Sequence, residues 1–131
     1  MTFPARHVSV AIDRSPADVY AFAADPANLP RWAAGLTGSI AQVDGRWVAE
    51  SPMGRIVVRF ADPNPYGVLD HDVTTPSGET FHNPLRVLAN GDGSEVVFTV
   101  YRWPATTDEA HEADAAAVAA DLATLKSLLE G

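Results

Sequence analysis

The segment Leu69-Asp70-His71-Asp72-Val73 sets an imidazole between two carboxylates. Imidazole changes charge near neutral pH, which suits it to general acid–base work or to hydrogen bonding with a carbonyl. In an extended strand Leu69, His71 and Val73 share one face, while Val68, Asp70 and Asp72 share the other. With the apolar residues turned inward, His71 enters the interior. It is there either a candidate acid–base group or a core histidine satisfied by its neighbours. Asp70 and Asp72 resemble a carboxylate dyad in spacing, but Arg55, Arg59 and Arg86 fall on outward phases of other runs. Cross-strand charge pairing accounts for all of these groups without chemistry.

Other polar groups can be phased in the same way. With Leu85 and Val87 inward, Asn83 points in and His82 points out, unless a bulge at Pro84 reverses the order. Arg102 shares a face with Val96, Phe98 and Val100, so it meets a ligand oxyanion or anchors the acidic start of the last helix. His111 lies on a helical stripe with Ala115 and Val118, near the expected mouth of the interior. His71, His82 and His111 lack metal-ligand spacing, so no metal is expected. The absence of cysteine excludes disulfides, thiolate clusters and thiol nucleophiles. No phosphate-binding glycine loop, G-x-S-x-G elbow or H-E-x-x-H helix is present, and no cofactor is expected.

The elements that position these groups follow from periodicity and punctuation. Residues 7–12 alternate, with Val8, Val10 and Ile12 on one face. Ser15 and Pro16 then start a helix as N-cap and N1, with Asp18 able to complete a capping box. Asp25-Pro26 starts a second short helix carrying Leu29 and Trp32 on one side. The stretch 35–51 holds two short strands around an Asp44-Gly45 turn. Met53-Gly54 opens a strand in which Ile56, Val58 and Phe60 alternate with Arg55, Val57 and Arg59. Further strands follow over 67–75, 79–89 and 94–103, separated by turns at 76–78 and 90–93, and Pro84 marks an edge or bulge. Residues 107–130 read as one helix of roughly 34 Å at about 1.5 Å per residue, with Thr106 and Glu109 spaced as a capping box. Its inner stripe is Ala115, Val118, Leu122, Leu125 and Leu129. Near Ala115, Ala116 and Ala119 the methyl side chains are too small to fill the space beneath, which predicts a void there.

Length and composition fit one domain over 1–131, with 47% hydrophobic residues. A net charge of −8 argues against nucleic acid or an anionic membrane as partner. The start MTFPARHVSV lacks the apolar run of a secretory signal, and no stretch approaches the ~20 apolar residues of a membrane span. A cytoplasmic location and no membrane insertion are therefore expected.

The ordered words SPADVYAFAADPANLPRW, GVLDHDV, NPLRVLANGDGSEVVFTVYRWP and DAAAVAADLATLKSLLEG resemble the START-like superfamily, also called SRPBCC or polyketide cyclase/dehydrase-like, over His7 to Leu129. The resemblance implies an α+β helix-grip fold like that of the birch-pollen allergen. An antiparallel sheet of six or seven strands would wrap a long C-terminal helix, with two short helices after the first strand. It implies a cavity between sheet and helix that binds a small hydrophobic or aromatic molecule. With the phases above, the expected lining is Trp32, Trp47, Met53, Val58, Phe60, Leu69, His71, Asn83, Leu85, Phe98, Arg102, His111, Ala115 and Val118. An alternative is a polyketide aromatase/cyclase promoting aldol cyclisation and dehydration. His71 would then be the acid–base group, and Asn83 or Arg102 would polarise a carbonyl or hold an enolate. No cyclase-specific motif matches residue by residue, so no family catalytic residue is carried over. A third reading is an interaction module, possible as a homodimer, using Tyr101 and Trp103 exposed on the outer face.

Overall fold

Alternation of apolar and polar residues gives strand β1 (Ala5–Ile12), in which Ile12 is buried while His7, Ser9 and Ala11 are exposed. The computed structural model describes residues 1–35 and 40–131. Residues 36–39, part of the stretch expected to hold two strands, lie outside the described residues. Helix α1 (Pro16–Ala23) starts as expected, with Ser15 Oγ accepting from Asp18 N at 3.2 Å. The capping box is not completed, because the Asp18 carboxylate turns to Arg14 at 3.0 Å instead. Asp25 caps one 3₁₀ turn (Pro26–Asn28) through a bond from Ala27 N, and α2 (Leu29–Trp32) follows with Leu29 and Trp32 buried.

Two hairpins come next. Strand β2 (Ile40–Val43) pairs with β3 (Arg46–Ser51) across Asp44-Gly45, both with positive φ. Strand β4 (Gly54–Phe60) then pairs back on β3. The remaining strands are β5 (His71–Thr74), β6 (Thr80–Asn83), β7 (Leu85–Asn90) and β8 (Gly93–Tyr101). All pairings are antiparallel, in two sheets ordered β1-β8-β7 and β2-β3-β4-β5-β6.

Among the described residues eight strands thus replace the expected six or seven, and the reason lies at two corners. The run 79–89 divides at Pro84, which cannot donate to a ladder, so β6 joins one sheet and β7 the other. The run 67–75 divides as well. Gly67–Leu69 pairs with β7, through Leu69 N to Leu85 O at 2.8 Å and Val87 N to Gly67 O at 2.9 Å, whereas β5 lies between β4 and β6. Asp70 stands at this corner and accepts from Leu85 N at 2.9 Å and from both ends of the Arg86 guanidinium at 2.8 and 2.7 Å.

Helix α3 (Asp108–Glu130) is 23 residues long. Its cap is Thr107, whose side chain accepts from Ala110 N, not the expected Thr106. Thr106 belongs to the preceding turn, where its carbonyl accepts from Arg102 Nε. The stripe Ala115, Leu122, Leu125 and Leu129 is buried, with Val118 partly so. The leucines form a core with Ile12, Val19, Leu85, Val87 and Val96. Ala116 and Ala119 instead face solvent, because they fall off that stripe by helical phase, so they do not roof a void as expected.

Gly67 must be glycine for two reasons: its φ is +72°, and a Cβ there would strike the Val87 carbonyl. Gly91 has φ +59° but open space around it. Gly91→Ala is expected to cost about 1–2 kcal/mol from backbone conformation alone. Gly67→Ala should cost about 3 kcal/mol or more, since the corner pairing must also move. Urea unfolding of the two variants checks the order.

Candidate functional site

Antiparallel register lays Phe60, His71 and Asn83 side by side on β4, β5 and β6. The ring of Phe98 on β8 approaches from the other sheet, 5.7 Å from the His71 centroid and nearly edge-on, while Phe60 lies at 5.2 Å. On the far side stand Leu29, Trp32 and Ala33 at α2, and Val118, Asp121 and Leu122 on α3. With Val73, and with Phe60 behind His71 rather than on the wall, these groups line a partly open cavity of about 230 Å³. A second space of about 240 Å³ shares Asn83, Phe98 and Val118 as a wall and continues toward Tyr101, Trp103, Asp114 and Ala117. The origin of the space is geometric: α3 packs mainly on β1 and β8, so its flank stands off the five-stranded sheet.

Few polar groups face this space. Carbonyls only accept, so His71 Nδ1 carries the proton that it donates to Leu69 O at 3.1 Å, leaving Nε2 as an acceptor. Burial between apolar rings lowers the His71 pKa, and the ring is neutral at physiological pH. Asn83 Nδ2 donates to Phe81 O at 3.3 Å. Asp121 Oδ1 accepts from Ala34 N at 3.1 Å, tying the end of α2 to α3, and burial raises its carboxyl pKa. Trp32 is only 4% exposed, and its Nε1 has no hydrogen-bond partner among the described residues.

The outer face carries the charges. Asp70 pairs with Arg86, whose guanidinium holds the Asp70 carboxyl below its ordinary range. His82 donates to Asp72 at 2.7 Å, so His82 and Asn83 have the outward and inward phases expected without a bulge.

Of the residues expected at the cavity, Trp32, His71, Asn83, Phe98 and Val118 line it. Trp47 and Val58 border a separate depression of about 620 Å³ near Pro26, Arg46 and Thr80, and Phe60 joins them there while also packing on His71. Leu69, Leu85 and Ala115 are buried in close-packed surroundings and do not reach the space. Met53 is 61% exposed, because it sits in the tight β3–β4 turn held by Ser51 Oγ, and it does not line the cavity. Arg102 is spent on the start of α3, bonding Thr106 O and Asp108 at 2.9 Å. His111 is buried and donates to Val100 O at 3.0 Å, so it fixes α3 to β8 rather than standing at the mouth. Tyr101 and Trp103 are half-buried rather than exposed, since Phe3 and Phe81 pack on the indole at 5.1 and 5.6 Å. A further groove of about 850 Å³ runs over the outer face of the three-stranded sheet past Phe3, Leu88 and Trp103.

Sequence reasoning missed Asp121. Its signal was available: it is an acid three residues after Val118 and next to Leu122, on an otherwise apolar stripe.

Residues 6–130 match the family model described as polyketide cyclase / dehydrase and lipid transport. Among solved structures, the Aha1 dimer from Colwellia psychrerythraea superposes with a TM-score of 0.76 at 19% identity, covering 97% of this chain and 96% of that one. A START superfamily protein from Mycobacterium smegmatis gives 0.71 at 10% identity, with coverage of 96% and 97%. Ara h 8.0201 gives 0.74 at 14% identity, with 98% of each chain covered. At these identities the likeness concerns the fold. No curated protein matches the sequence. Among the described residues no helix is long and apolar enough to cross a membrane, and no group of three or more His, Asp or Glu is placed to hold a metal.

The depressed His71 pKa fixes the sign of a pH effect. Above the ordinary imidazole value of 6.5 the ring is neutral both folded and unfolded. As pH falls from there toward the folded value, the unfolded chain takes up a proton that the buried ring refuses, and stability drops. From about pH 7.5 to about pH 5.5, wild type should lose more stability than His71→Gln, by at most about 1.4 kcal/mol, the limit for one proton over that window. Urea titrations of both proteins at the two pH values measure the difference.

Proposed function

The chain belongs to the polyketide cyclase / dehydrase and lipid transport family, and we propose that it binds a small apolar or aromatic molecule between its five-stranded sheet and C-terminal helix. The observation that carries this reading is the cavity of about 230 Å³ walled by Leu29, Trp32, Val73, Phe98, Val118 and Leu122. A dry apolar cavity of about 150 Å³ is already enough to take benzene. Apolar walls supply affinity, and the few polar groups orient the guest.

A second reading, aldol cyclisation and dehydration of a polyketide chain, draws on His71, a neutral imidazole beside Asn83 at the same cavity. Its Nε2 would take a proton next to a ketone, with the Asn83 amide oriented toward the developing enolate. Size decides the order of the two readings. Sites for larger ligands usually measure about 300–1,000 Å³. A ring-sized guest fits the inner space alone, whereas a polyketide chain must fill the adjoining space as well.

Val118 lines both spaces, so Val118→Phe should fill the shared wall. Toluene binding, followed by NMR titration, is expected to weaken at least about tenfold. Thermal stability should hold or rise, as cavity filling commonly adds about 0.5–2 kcal/mol. Unchanged toluene binding in a folded variant would remove the cavity as the site. For the second reading, His71→Ala should keep toluene binding while abolishing cyclisation of a poly-β-ketone thioester. Equal turnover in variant and wild type ends the catalytic role of His71.

A further inference from the structure

The flank of α3 sets two carboxylates where the chain offers no cation. Asp114, Val118 and Asp121 are spaced i, i+4 and i+7, so they share one side of the helix. Val118 and Asp121 line the inner cavity, while Val118 and Asp114 line its extension. Asp121 uses Oδ1 for Ala34 N and leaves Oδ2 unpaired among the described residues. Neither Lys nor Arg borders either space, and residues 36–39 supply none, being Leu, Thr, Gly and Ser. The opposite wall adds acceptors. His71, packed between Phe60 and Phe98, spends Nδ1 on Leu69 O and leaves Nε2 bare. Desolvation keeps that ring uncharged, so it does not repel a cation. Asn83 Oδ1 is bare as well, since the Nδ2 bond to Phe81 O fixes the amide orientation. Among the described residues the one sealed side-chain polar atom without a partner is Trp32 Nε1, so these acceptors stay open to a guest.

Such walls select among ligand head groups. A carboxylate or phosphate meets Asp121 and Asp114 with no cation to offset the repulsion. A ketone finds only the second N–H of Asn83 to accept from. A hydroxyl donates to one acceptor but leaves the carboxylate charge unbalanced where burial already raises the Asp121 pKa. A protonated amine supplies both the missing charge and several N–H donors. Resting on the reading of this cavity as a ligand site, we propose that its occupant is a cationic amine carried on an apolar or aromatic ring, with the Asp121 carboxylate as its counter-charge and the ring against Phe98, Val118 and Leu122. The net charge of −8 draws such a cation toward the chain, and Asp114 stands along the extension.

Toluene, benzyl alcohol, benzylamine and benzoate form a test series of similar size. Calorimetry on the full chain at about pH 7.5, where benzylamine is protonated, should show it binding at least about tenfold more tightly than toluene or benzyl alcohol, and benzoate not binding. Asp121→Asn keeps an acceptor for Ala34 N and should bring benzylamine to within about twofold of benzyl alcohol. Val118→Phe should weaken benzylamine at least about tenfold, as it does toluene. Equal affinities for toluene, benzyl alcohol and benzylamine would overturn the amine assignment and leave the cavity reading standing. Preferred binding of benzoate would overturn it likewise. A benzylamine affinity untouched by Val118→Phe would place the amine on the acidic surface and overturn the assignment too, and a preference retained in Asp121→Asn removes Asp121 as the counter-charge. The wild-type ranking decides even where Asp121→Asn does not fold. If none of the four binds, the amine and cavity readings fall together.

Discussion

Two long extended runs change sheets at the same corner, and the interior depends on that change. Pro84 ends one ladder and Asp70 holds the other turn, with its carboxylate bound to Leu85 N and to Arg86. Were both runs to stay in one sheet, β7 would continue beyond β6 and the strands would form a single surface for α3 to lie against. Instead the three-stranded part takes α3 and the five-stranded part stands away from it. The cavity is the gap that this division leaves, and Phe98 and His71 face each other across it.

Within that gap the division of labour among side chains is plain. Aliphatic and aromatic groups make most of the walls, and the outward row of Arg59, Asp72 and His82, with its His82–Asp72 hydrogen bond, lies on the opposite side of the sheet. His71 is the inward member between Asp70 and Asp72, and strand alternation alone separates it from their carboxylates. Such separation leaves the imidazole in apolar company and neutral.

Much of this was legible in the residues, for reasons that can be stated. The inward phase of His71 and Asn83 and the outward phase of His82, Asp70 and Asp72 follow from a period of two, which tertiary packing cannot easily violate. The Ser15 and Asp25 caps and the Asp44-Gly45 turn are local chemistry. What escaped the reading was set by long-range geometry. Pro84 signalled an interruption, but not that the chain would cross to another sheet. Met53 looked like the start of an apolar strand until the Ser51 turn carried it into solvent. Arg102 and His111 had the right phase for the cavity but were taken by Asp108 and the Val100 carbonyl. Asp121 was overlooked because an apolar stripe draws attention to its leucines, not to the acid between them.

Helix α3 is fastened at both extremities. Its first turns are held by Arg102 on Asp108, Arg6 on Glu112 and His111 on Val100, and its last by Arg14 on the Leu129 carbonyl, Lys126 on the Ala11 carbonyl and Glu130 on Asp13 N. A beam clamped in this way does not swing clear to admit a guest, since lifting either end breaks several polar contacts at once. For the proposed guest, the way in would lie along its flank, past Tyr101, Trp103 and Ala117, where the adjoining space opens. Rotamer changes are faster by orders of magnitude than collective helix motions, at about ps–ns against μs–ms. On the proposed binding role, the grip of the walls on a guest would then set its residence time, with side-chain turns along the flank as the gate.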